Sequence, residues 1–353
     1  MQQSLQNLVA QSYGLGDFSF RPFGEGLIHE TFLVESKIGK FVLQGFNDQV
    51  FQYPDRIASN LAQLKAEIDI DRLPYELPLP KLTEAGESLF DEDGKLYRLF
   101  DFVEGVTVQE TSDPKLAFLA GKAYGEFAKA TATFDMRLFQ ETIPDFHRLD
   151  LRYERLQMVA GAKASWTEEE SDILRFYLCQ NPLIENYKAQ TKNLPLRLTH
   201  NDTKINNLIF SQNLKQVAAL IDLDTVMPGY LLYDFGDLVR TVACSRSEIN
   251  TQWSDIQLDL SIFEALLEGY FEGILPTVSA VELQSLLIGG EIMTCMMGLR
   301  FFTDHLQGNI YYKVDYPEQN LHRAKNQMIL LRDQQEKRSQ LQLIWEKTTL
   351  SRQ

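Results

Sequence analysis

The feature that most constrains the fold is a change of secondary-structure pattern along the chain. Residues 18–102 form short runs with the apolar–polar alternation of β-strands, interrupted by one helical pattern over Pro54–Glu67. From Pro114 onward the spacing of apolar residues is helical, apart from a strand-rich island at residues 194–221. We therefore expect an α+β protein with a small β-rich lobe followed by a larger, mainly helical lobe.

The length of the chain agrees with two lobes. At roughly 150 residues per domain, 353 residues correspond to about two domains. The strand pattern stops at residues 101–105, where Gly105 follows Glu104, and this segment is the expected connector. We place the N-terminal lobe at residues 1–103 and the C-terminal lobe at residues 104–353. A cleft between two such lobes is a natural site for a small molecule.

The charge of the chain narrows the choice of partners. It has 34 Lys and Arg against 49 Asp and Glu, a net charge of −15, which disfavours binding to nucleic acid or to an anionic membrane. Its three cysteines, Cys179, Cys244 and Cys295, form no CxxC pair, which is typical of a reducing compartment. Neither a secretory leader nor a run of 18 apolar residues is visible, so we expect a cytoplasmic protein. The sequence predicts no particular protein partner.

The strand-rich island contains a hairpin with metal-binding chemistry at one end. Two apolar runs, Leu208–Phe210 and residues 217–221, are expected to pair antiparallel through a turn. Asn207 immediately precedes the first run and Asp222 immediately follows the second, so both should lie at the same end of the hairpin. Amide and carboxylate oxygens are ligands that suit Mg²⁺ bound to phosphates.

A second acidic residue completes this pattern. Asp202 lies five residues before Asn207, in a His-x-Asp-x-x-x-x-Asn motif that begins at His200. A carboxylate there can accept a proton from a hydroxyl beside a metal that clamps phosphates, which is the arrangement that phosphoryl transfer needs. Each residue alone is an ordinary turn residue, but the complete order, which ends in Asp222-x-Asp224, favours the functional interpretation. We expect His200 to orient the loop and not to catalyse.

The motif resembles a known superfamily. His200 to Asn207 together with Asp222 resemble the catalytic loop and metal-binding segment of the aminoglycoside phosphotransferase and choline kinase superfamily, which has a protein-kinase-like two-lobe fold. A closer resemblance to the N-acetylhexosamine 1-kinases rests on residues 26–31, 200–207, 221–229, 233–240 and 298–304. It extends over about residues 18–330. It implies Mg²⁺-dependent transfer of the γ-phosphoryl group of ATP to the anomeric hydroxyl of N-acetylglucosamine or N-acetylgalactosamine.

The resemblance also assigns roles in catalysis and metal binding. It makes Asp202 the catalytic base and Asn207 and Asp222 the Mg²⁺ ligands. Asp224 either contacts a second metal ion or only orients Asp222. In this interpretation the small lobe binds the nucleotide, and the large lobe carries the catalytic residues and the sugar.

The nucleotide is expected to bind to the small lobe. Gly24 and Gly26 lie between two strands, where their backbone N–H groups can cover phosphates, and the backbone of Asp101 and Val103 would hydrogen-bond adenine. Gln44 occupies the third strand, where kinases carry a phosphate-binding lysine. Glutamine can donate a hydrogen bond but has no charge, so the positive charge must come from elsewhere. A catalytically silent nucleotide- or sugar-binding regulator therefore remains an alternative.

The acceptor is expected to bind to the large lobe. Arg300 and Asp304 are four residues apart on a predicted helix, and either they form an intrahelical ion pair or they line a sugar pocket with Tyr311. Asp234 is expected near a helix start as a capping or first-turn acid, and Asp237 as a partner of Arg240, with direct contact to a ligand as the alternative for both. A kinase for an aminoglycoside, choline, homoserine or another sugar remains an alternative, because an acidic cleft suits cationic substrates.

Overall fold

A five-stranded antiparallel sheet dominates the N-terminal part of the computed structural model, which describes residues 2–24, 29–47 and 51–350. Its strands are β1 (Phe18–Pro22), β2 (Glu30–Ser36), β3 (Gly39–Gly45), β4 (Phe90–Glu92) and β5 (Lys95–Asp101). They are ordered β1-β2-β3-β5-β4. The sequence pattern predicted all of them except the short edge strand β4.

Two helices accompany this sheet. Helix α2 (Pro54–Glu67) has the predicted bounds and begins with a proline in its first turn, where the missing N–H costs no hydrogen bond. Helix α1 (Gln2–Tyr13) was not predicted. It buries Leu5 and Val9 in a small core with Val34, Leu43 and Leu99 of the sheet. The sheet therefore has a core separate from the larger one that follows.

The C-terminal part is mainly helical. Its helices are α3 (Pro114–Ala130), α4 (Leu149–Gly161), α5 (Glu168–Leu178), α6 (Asn181–Thr191), α7 (Leu231–Thr241), α8 (Leu260–Ile274), α9 (Ala280–Leu286), α10 (Gly289–Leu306), α11 (Gln319–Glu336) and α12 (Arg338–Leu350). Asp113 caps α3 by accepting the N–H of Lys115. Helices α3 and α8 pack so closely that a Cβ on Gly269 would lie 2.0 Å from the carbonyl oxygen of Phe118.

This arrangement confirms the predicted α+β class, with a β-rich N-terminal sheet and a larger helical region. No single helix in the described chain is both long and apolar enough to cross a membrane. Helices α9 and α10, bent by 53° at the break between them, pass that test only as a pair, on length and composition alone.

Five short strands lie between the helices. They are β6 (Val106–Thr107), β7 (Arg197–Thr199), β8 (Leu208–Phe210), β9 (Val217–Leu220) and β10 (Met227–Gly229). Strands β8 and β9 form the predicted antiparallel hairpin, with Leu208 opposite Leu220. Strand β6 adds to its free edge, so the chain joins this hairpin directly after it leaves the large sheet. The pairing of β7 with β10 holds the two ends of the 200–226 segment together.

Candidate active site

A buried carboxylate fixes the loop that contains Asp202. Asp234, in α7, accepts the backbone N–H of His200 at 2.9 Å and that of Asn201 at 2.8 Å. Its own backbone carbonyl accepts the Thr203 hydroxyl at 2.6 Å. Burial raises the pKa of Asp234 to about 6, although both backbone hydrogen bonds favour the ionised form. Asp234 thus lies in the first turn of α7, as expected, but its carboxylate holds the loop that carries Asp202 and does not cap that helix.

Neighbouring groups complete the support of the loop. Asn201 has a left-handed backbone, with φ of +62°, and its side-chain amide donates to the carbonyls of Thr199 and Thr225. His200 lies 3.1 Å through Nε2 from the carbonyl of Ile221, so it ties the loop to the hairpin. This contact is the orienting role that the sequence predicted for His200.

The carboxylate of Asp202 lies beside a lysine. Lys204 Nζ is 2.7 Å from Asp202 Oδ1, and Asn207 Nδ2 donates to Oδ2 at 3.2 Å. Burial alone would raise the pKa of Asp202, but the charge and hydrogen bond of Lys204 hold it below its ordinary value. Asp202 is therefore ionised at neutral pH and able to accept a proton. Our sequence prediction missed Lys204, although its position two residues after Asp202 was a signal.

Asn207 and Asp222 lie side by side at one end of the hairpin. The N–H of Ile221 donates to the carbonyl of Asn207 at 3.0 Å, which brings Asp222 next to Asn207. Asp222 has φ of +62°, and its side chain is exposed to solvent in the cleft. Desolvation by the surrounding protein, together with the nearby negative charges of Asp224 and Asp202, raises the pKa of Asp222 to about 6.

These two side chains fit a magnesium ion. Because Asn207 Nδ2 donates to Asp202, its Oδ1 is the end left for a metal. The Asp222 carboxylate has no protein partner within residues 2–24, 29–47 and 51–350. An amide oxygen and an unpaired carboxylate are hard ligands of the kind that Mg²⁺ takes together with phosphate oxygens. No group of three or more His, Cys, Asp or Glu in the described residues is placed to hold a metal.

Asp224 lies in a different environment. Both of its oxygens accept hydrogen bonds from Arg98 of β5, at 2.6 and 2.7 Å, and His29 Nε2 is 2.8 Å from Oδ2. Arg98 and His29 together hold the pKa of Asp224 far below its usual value, against the effect of burial. The protein itself thus occupies the oxygens that a second metal would need, which favours the alternative in which Asp224 orients Asp222.

The predicted nucleotide residues lie around the sheet. Gly24 has φ of +79°, and a Cβ there would meet no atom of the described residues within 4 Å, so these residues leave room for a ligand beside its backbone. Gly26 lies outside the described residues. The carboxylate of Asp101 pairs with Lys81 at 2.9 Å, which leaves only its backbone for a ligand. Val103 is buried, and no hydrogen bond joins its backbone to the described part of the chain. Gln44 faces Arg98, as analysed below.

The predicted acceptor residues lie at the end of α10. Asp304 makes no ion pair with Arg300. Its carboxylate accepts the backbone N–H groups of Tyr311 at 2.8 Å and Tyr312 at 3.0 Å, and the amide of Asn320 at 2.9 Å. Asp304 therefore shapes the loop after α10, and the intrahelical ion pair that we considered is absent from the structure. Both of its oxygens are engaged by the protein, so its contribution to an acceptor site would be indirect.

Arg300 is surrounded by aromatic rings. Its guanidinium carbon lies 4.8 Å from the ring centre of Phe146 and 5.4 Å from those of Tyr311 and Tyr312. Its one hydrogen bond within the described chain is a long contact to the sulfur of Met297. No carboxylate of the described residues pairs with it.

A second arginine, Arg152 of α4, lies close to Arg300. It donates to the backbone carbonyls of Asp145 and Phe146, while its buried Nε has no partner in the described structure. Burial, with the Arg300 charge adding to it, lowers the pKa of Arg152. Sequence reasoning missed Arg152, because nothing in the spacing of α4 distinguishes it from a surface arginine.

His147 lies between these arginines and the loop that carries Asp202. Its Nε2 lies 2.9 Å from the carbonyl of Asn201, and its ring packs on Phe146 with a centroid distance of 4.2 Å. Burial lowers the pKa of His147 to about 3, and the nearby Arg300 and Arg152 contribute in the same direction. The imidazole is therefore neutral at pH 7. The two arginines, the aromatic rings and Asp202 thus belong to one region of the cleft.

Comparisons with known proteins identify the family and the fold. Residues 19–274 match the model of the phosphotransferase enzyme family APH. The fold is also that of solved kinases of low sequence identity. A spectinomycin phosphotransferase, APH(9)-Ia, solved with ADP and spectinomycin, is 12% identical over 98% of both chains with a TM-score of 0.57.

Two further structures extend this likeness. A microcompartment-associated aminopropanol kinase is 15% identical, covers 96% of this chain and 98% of its own, and has a TM-score of 0.63. The choline kinase of Cryptosporidium parvum Iowa II is 14% identical, covers 96% and 97%, and has a TM-score of 0.59. The fold and the hairpin site define a kinase-like phosphotransferase. The chain belongs to the phosphotransferase enzyme family APH, and its fold is shared with solved aminoglycoside phosphotransferases and choline kinase.

Proposed function

We propose that this protein transfers the γ-phosphoryl group of ATP to the anomeric hydroxyl of an N-acetylated hexosamine. The observation that carries the choice of acceptor is the pair of guanidinium groups, Arg152 and Arg300, which lie near the catalytic loop among aromatic rings and without a carboxylate partner in the described chain. Such a region suits a neutral, hydroxyl-rich ring, because guanidinium and tyrosine hydroxyl groups are fixed donors and an aromatic face suits a pyranose.

The charges in the cleft argue against a cationic acceptor. Five aspartates lie on or near the hairpin and its supporting helix: Asp202, Asp222, Asp224, Asp234 and Asp237. Of these, Asp222 alone has no partner among the described residues. Lys204 pairs with Asp202, Arg98 and His29 pair with Asp224, and Arg240 pairs with Asp237. Asp234 accepts two backbone N–H groups. The acidic cleft inferred from composition is therefore largely neutralised. A cation roughly 6 Å from one unpaired guanidinium would be repelled by about 3 kcal/mol at an effective dielectric constant of 20.

The proposed reaction uses the groups of the hairpin in separate roles. Asp202 accepts the proton of the sugar hydroxyl as that oxygen forms a bond to the γ-phosphorus and the bond to the leaving ADP breaks. Lys204 holds Asp202 ionised before the transfer. Because the pKa of Asp202 is lowered, it is a weak base, and an anomeric hydroxyl, which is more acidic than an ordinary alcohol, is the acceptor that such a base can serve.

The remaining residues would bind the nucleotide. Asn207 and Asp222 would hold a magnesium ion, which when bound neutralises charge on the phosphates. The loop at Gly24 would cover the phosphates, and the unpaired backbone groups of Val103 would bind adenine. ADP and spectinomycin bound to the related phosphotransferase support a nucleotide and a small hydroxyl compound as the ligand pair.

A panel of acceptors tests this proposal. Purified protein would be incubated with ATP, Mg²⁺ and one acceptor, and ADP release measured by a coupled assay. The acceptors would be N-acetylglucosamine, N-acetylgalactosamine, glucose, choline, aminopropanol and spectinomycin, with Asp202→Asn protein as the blank. We expect the highest kcat/KM with an N-acetylhexosamine. Efficient turnover of an amine without turnover of either hexosamine would replace this proposal with a kinase for a cationic substrate.

A further inference from the structure

Gln44 on β3 stands directly opposite Arg98 on β5 in the register of the sheet. The Nε and Nη2 groups of Arg98 both donate to Oε1 of Gln44, at 3.2 and 2.9 Å. The side-chain oxygen of Gln44 is thereby used within the sheet. The orientation of its amide is fixed, with Nε2 as the end that has no partner in the described chain.

Arg98 also reaches across to the other side of the cleft. Its Nη1 and Nη2 donate to the two oxygens of Asp224, in the turn that begins directly after Asp222. The side chain is only 3% exposed and lies between the rings of Phe46 and Phe100, at 5.3 and 5.1 Å. Of its five N–H groups, these contacts engage four, and one on Nη1 remains. The guanidinium is therefore a rigid positive charge directly behind Gln44.

Gln44 on β3 and Arg98 on β5 together supply the hydrogen-bond donor and the positive charge that a single lysine on β3 would supply. A lysine offers a donor and a charge on one side chain. Here the half-buried Gln44 offers the donor, and the charge lies one strand away on Arg98. A guanidinium that donates to the amide oxygen polarises the amide, which strengthens its N–H groups as donors to an anion.

We propose that Gln44 donates its Nε2 amide to the phosphates of the nucleotide, and that Arg98, whose charge is shared with Asp224, positions Gln44 and polarises its amide. The proposal rests on the proposed use of a nucleotide but not on the identity of the acceptor. It removes the reason to regard Gln44 as the mark of a catalytically silent protein.

Nucleotide binding in the absence of acceptor tests this proposal. Isothermal titration calorimetry would compare adenosine, ADP and ATP, with Mg²⁺ and with EDTA, on the full chain. A lost hydrogen bond to a charged group corresponds to about a 10- to 100-fold loss of affinity. We expect Gln44→Leu and Arg98→Met to weaken ATP and ADP by about that factor and adenosine less than about twofold. Arg98→Lys should retain part of the lost affinity.

Moving the positive charge from β5 to β3 distinguishes a role of Arg98 in nucleotide binding from a purely structural role. In the double variant Gln44→Lys, Arg98→Met the positive charge returns to β3, and the affinity for ATP should recover relative to Arg98→Met. Asp224→Asn, combined with Arg98→Met, removes the buried carboxylate that Arg98→Met leaves with only His29 as partner, and keeps the test valid if Arg98→Met alone unfolds. Lys95→Met is the matched control, since Lys95 lies on β5 like Arg98 and its partly exposed charge pairs with Glu30 of β2.

The possible results are distinct. Equal losses for adenosine and ATP, or full ATP affinity in Gln44→Leu, would overturn the proposal, as would a failure of the transposed lysine to restore binding. If the wild-type protein binds no adenine nucleotide at all, the proposed function fails first, and that result is separate from any effect of Arg98.

Discussion

The carboxylate of Asp234 accepts the backbone N–H of His200 at 2.9 Å, although 34 positions separate the two residues in the chain. Through this bond and its partner at Asn201, helix α7 holds the loop that carries Asp202. The bond joins the interior of the large lobe to the proposed site of proton transfer. A substitution of Asp234 should therefore lower both the free energy of unfolding and kcat, even though Asp234 contacts no substrate in our account.

The pH dependence of stability tests the environment of Asp234. Its pKa is about 6 in the folded protein against an ordinary 3.8, so folding favours the protonated form. The stability from this group is full below about pH 4 and is lost as the pH rises through about 6. The stability of wild type relative to Asp234→Asn should thus fall by about 2 kcal/mol between pH 4 and pH 7. Urea unfolding at a series of pH values measures this difference.

The exposed Asp172 supplies the control for that experiment, because Asp172→Asn alters a solvated carboxylate of α5. Its stability relative to wild type should change little over the same pH range. A difference between wild type and Asp234→Asn that is constant, or that grows with pH, contradicts a buried carboxylate of raised pKa at this position.

Substitution of the proposed base should stop turnover without loss of the nucleotide. Asp202→Asn keeps the shape of the side chain but cannot take a proton, and a general base contributes about 10²- to 10⁴-fold. We expect kcat to fall by that factor, while the Kd for ATP measured by calorimetry stays within about twofold. A variant that keeps more than about a tenth of the wild-type kcat would show that Asp202 is not the base.

The proposed metal ligand Asp222 should act through the nucleotide. Asp222→Ala removes the unpaired carboxylate beside Asn207, so Mg²⁺ should no longer strengthen ATP binding, and activity should be lost with it. Calorimetric titration of ATP with and without Mg²⁺ measures this effect, and Asp172→Ala serves as the matched surface control. If Asp222→Ala binds Mg²⁺ and ATP as tightly as wild type, the metal does not bind at this end of the hairpin.

A substitution in the proposed acceptor site should change the KM for the sugar without changing the KM for ATP. Loss of a buried donor to the sugar costs about 1–3 kcal/mol, so Arg300→Ala should raise the KM for the sugar about 5- to 150-fold and change the KM for ATP little. Arg155→Ala, which alters an exposed arginine of α4, is the control and should leave both KM values unchanged. A similar rise in both KM values would place Arg300 outside the acceptor site.

The sequence predicted the local parts of this site, but not the long-range pairings. Asn207 and Asp222 could be placed together because a hairpin fixes which residues meet at its end. The contact of Arg98 with Asp224 could not be predicted, since it joins residues 126 positions apart whose side chains become partners only when the sheet packs on the large lobe. For Asp304 the sequence left open an ion pair with Arg300 or a place in a sugar pocket, and it did not predict that the loop after α10 would supply the donors to this carboxylate.

The most direct measurement of the central claim is the position of the phosphate in the product. Protein, ATP, Mg²⁺ and N-acetylglucosamine would be incubated, and the product examined by ³¹P and ¹H NMR. Our account predicts coupling of phosphorus to the anomeric proton, which shows phosphate on C1. Phosphate on C6, or no hexosamine product under conditions in which a cationic amine is phosphorylated, would contradict it.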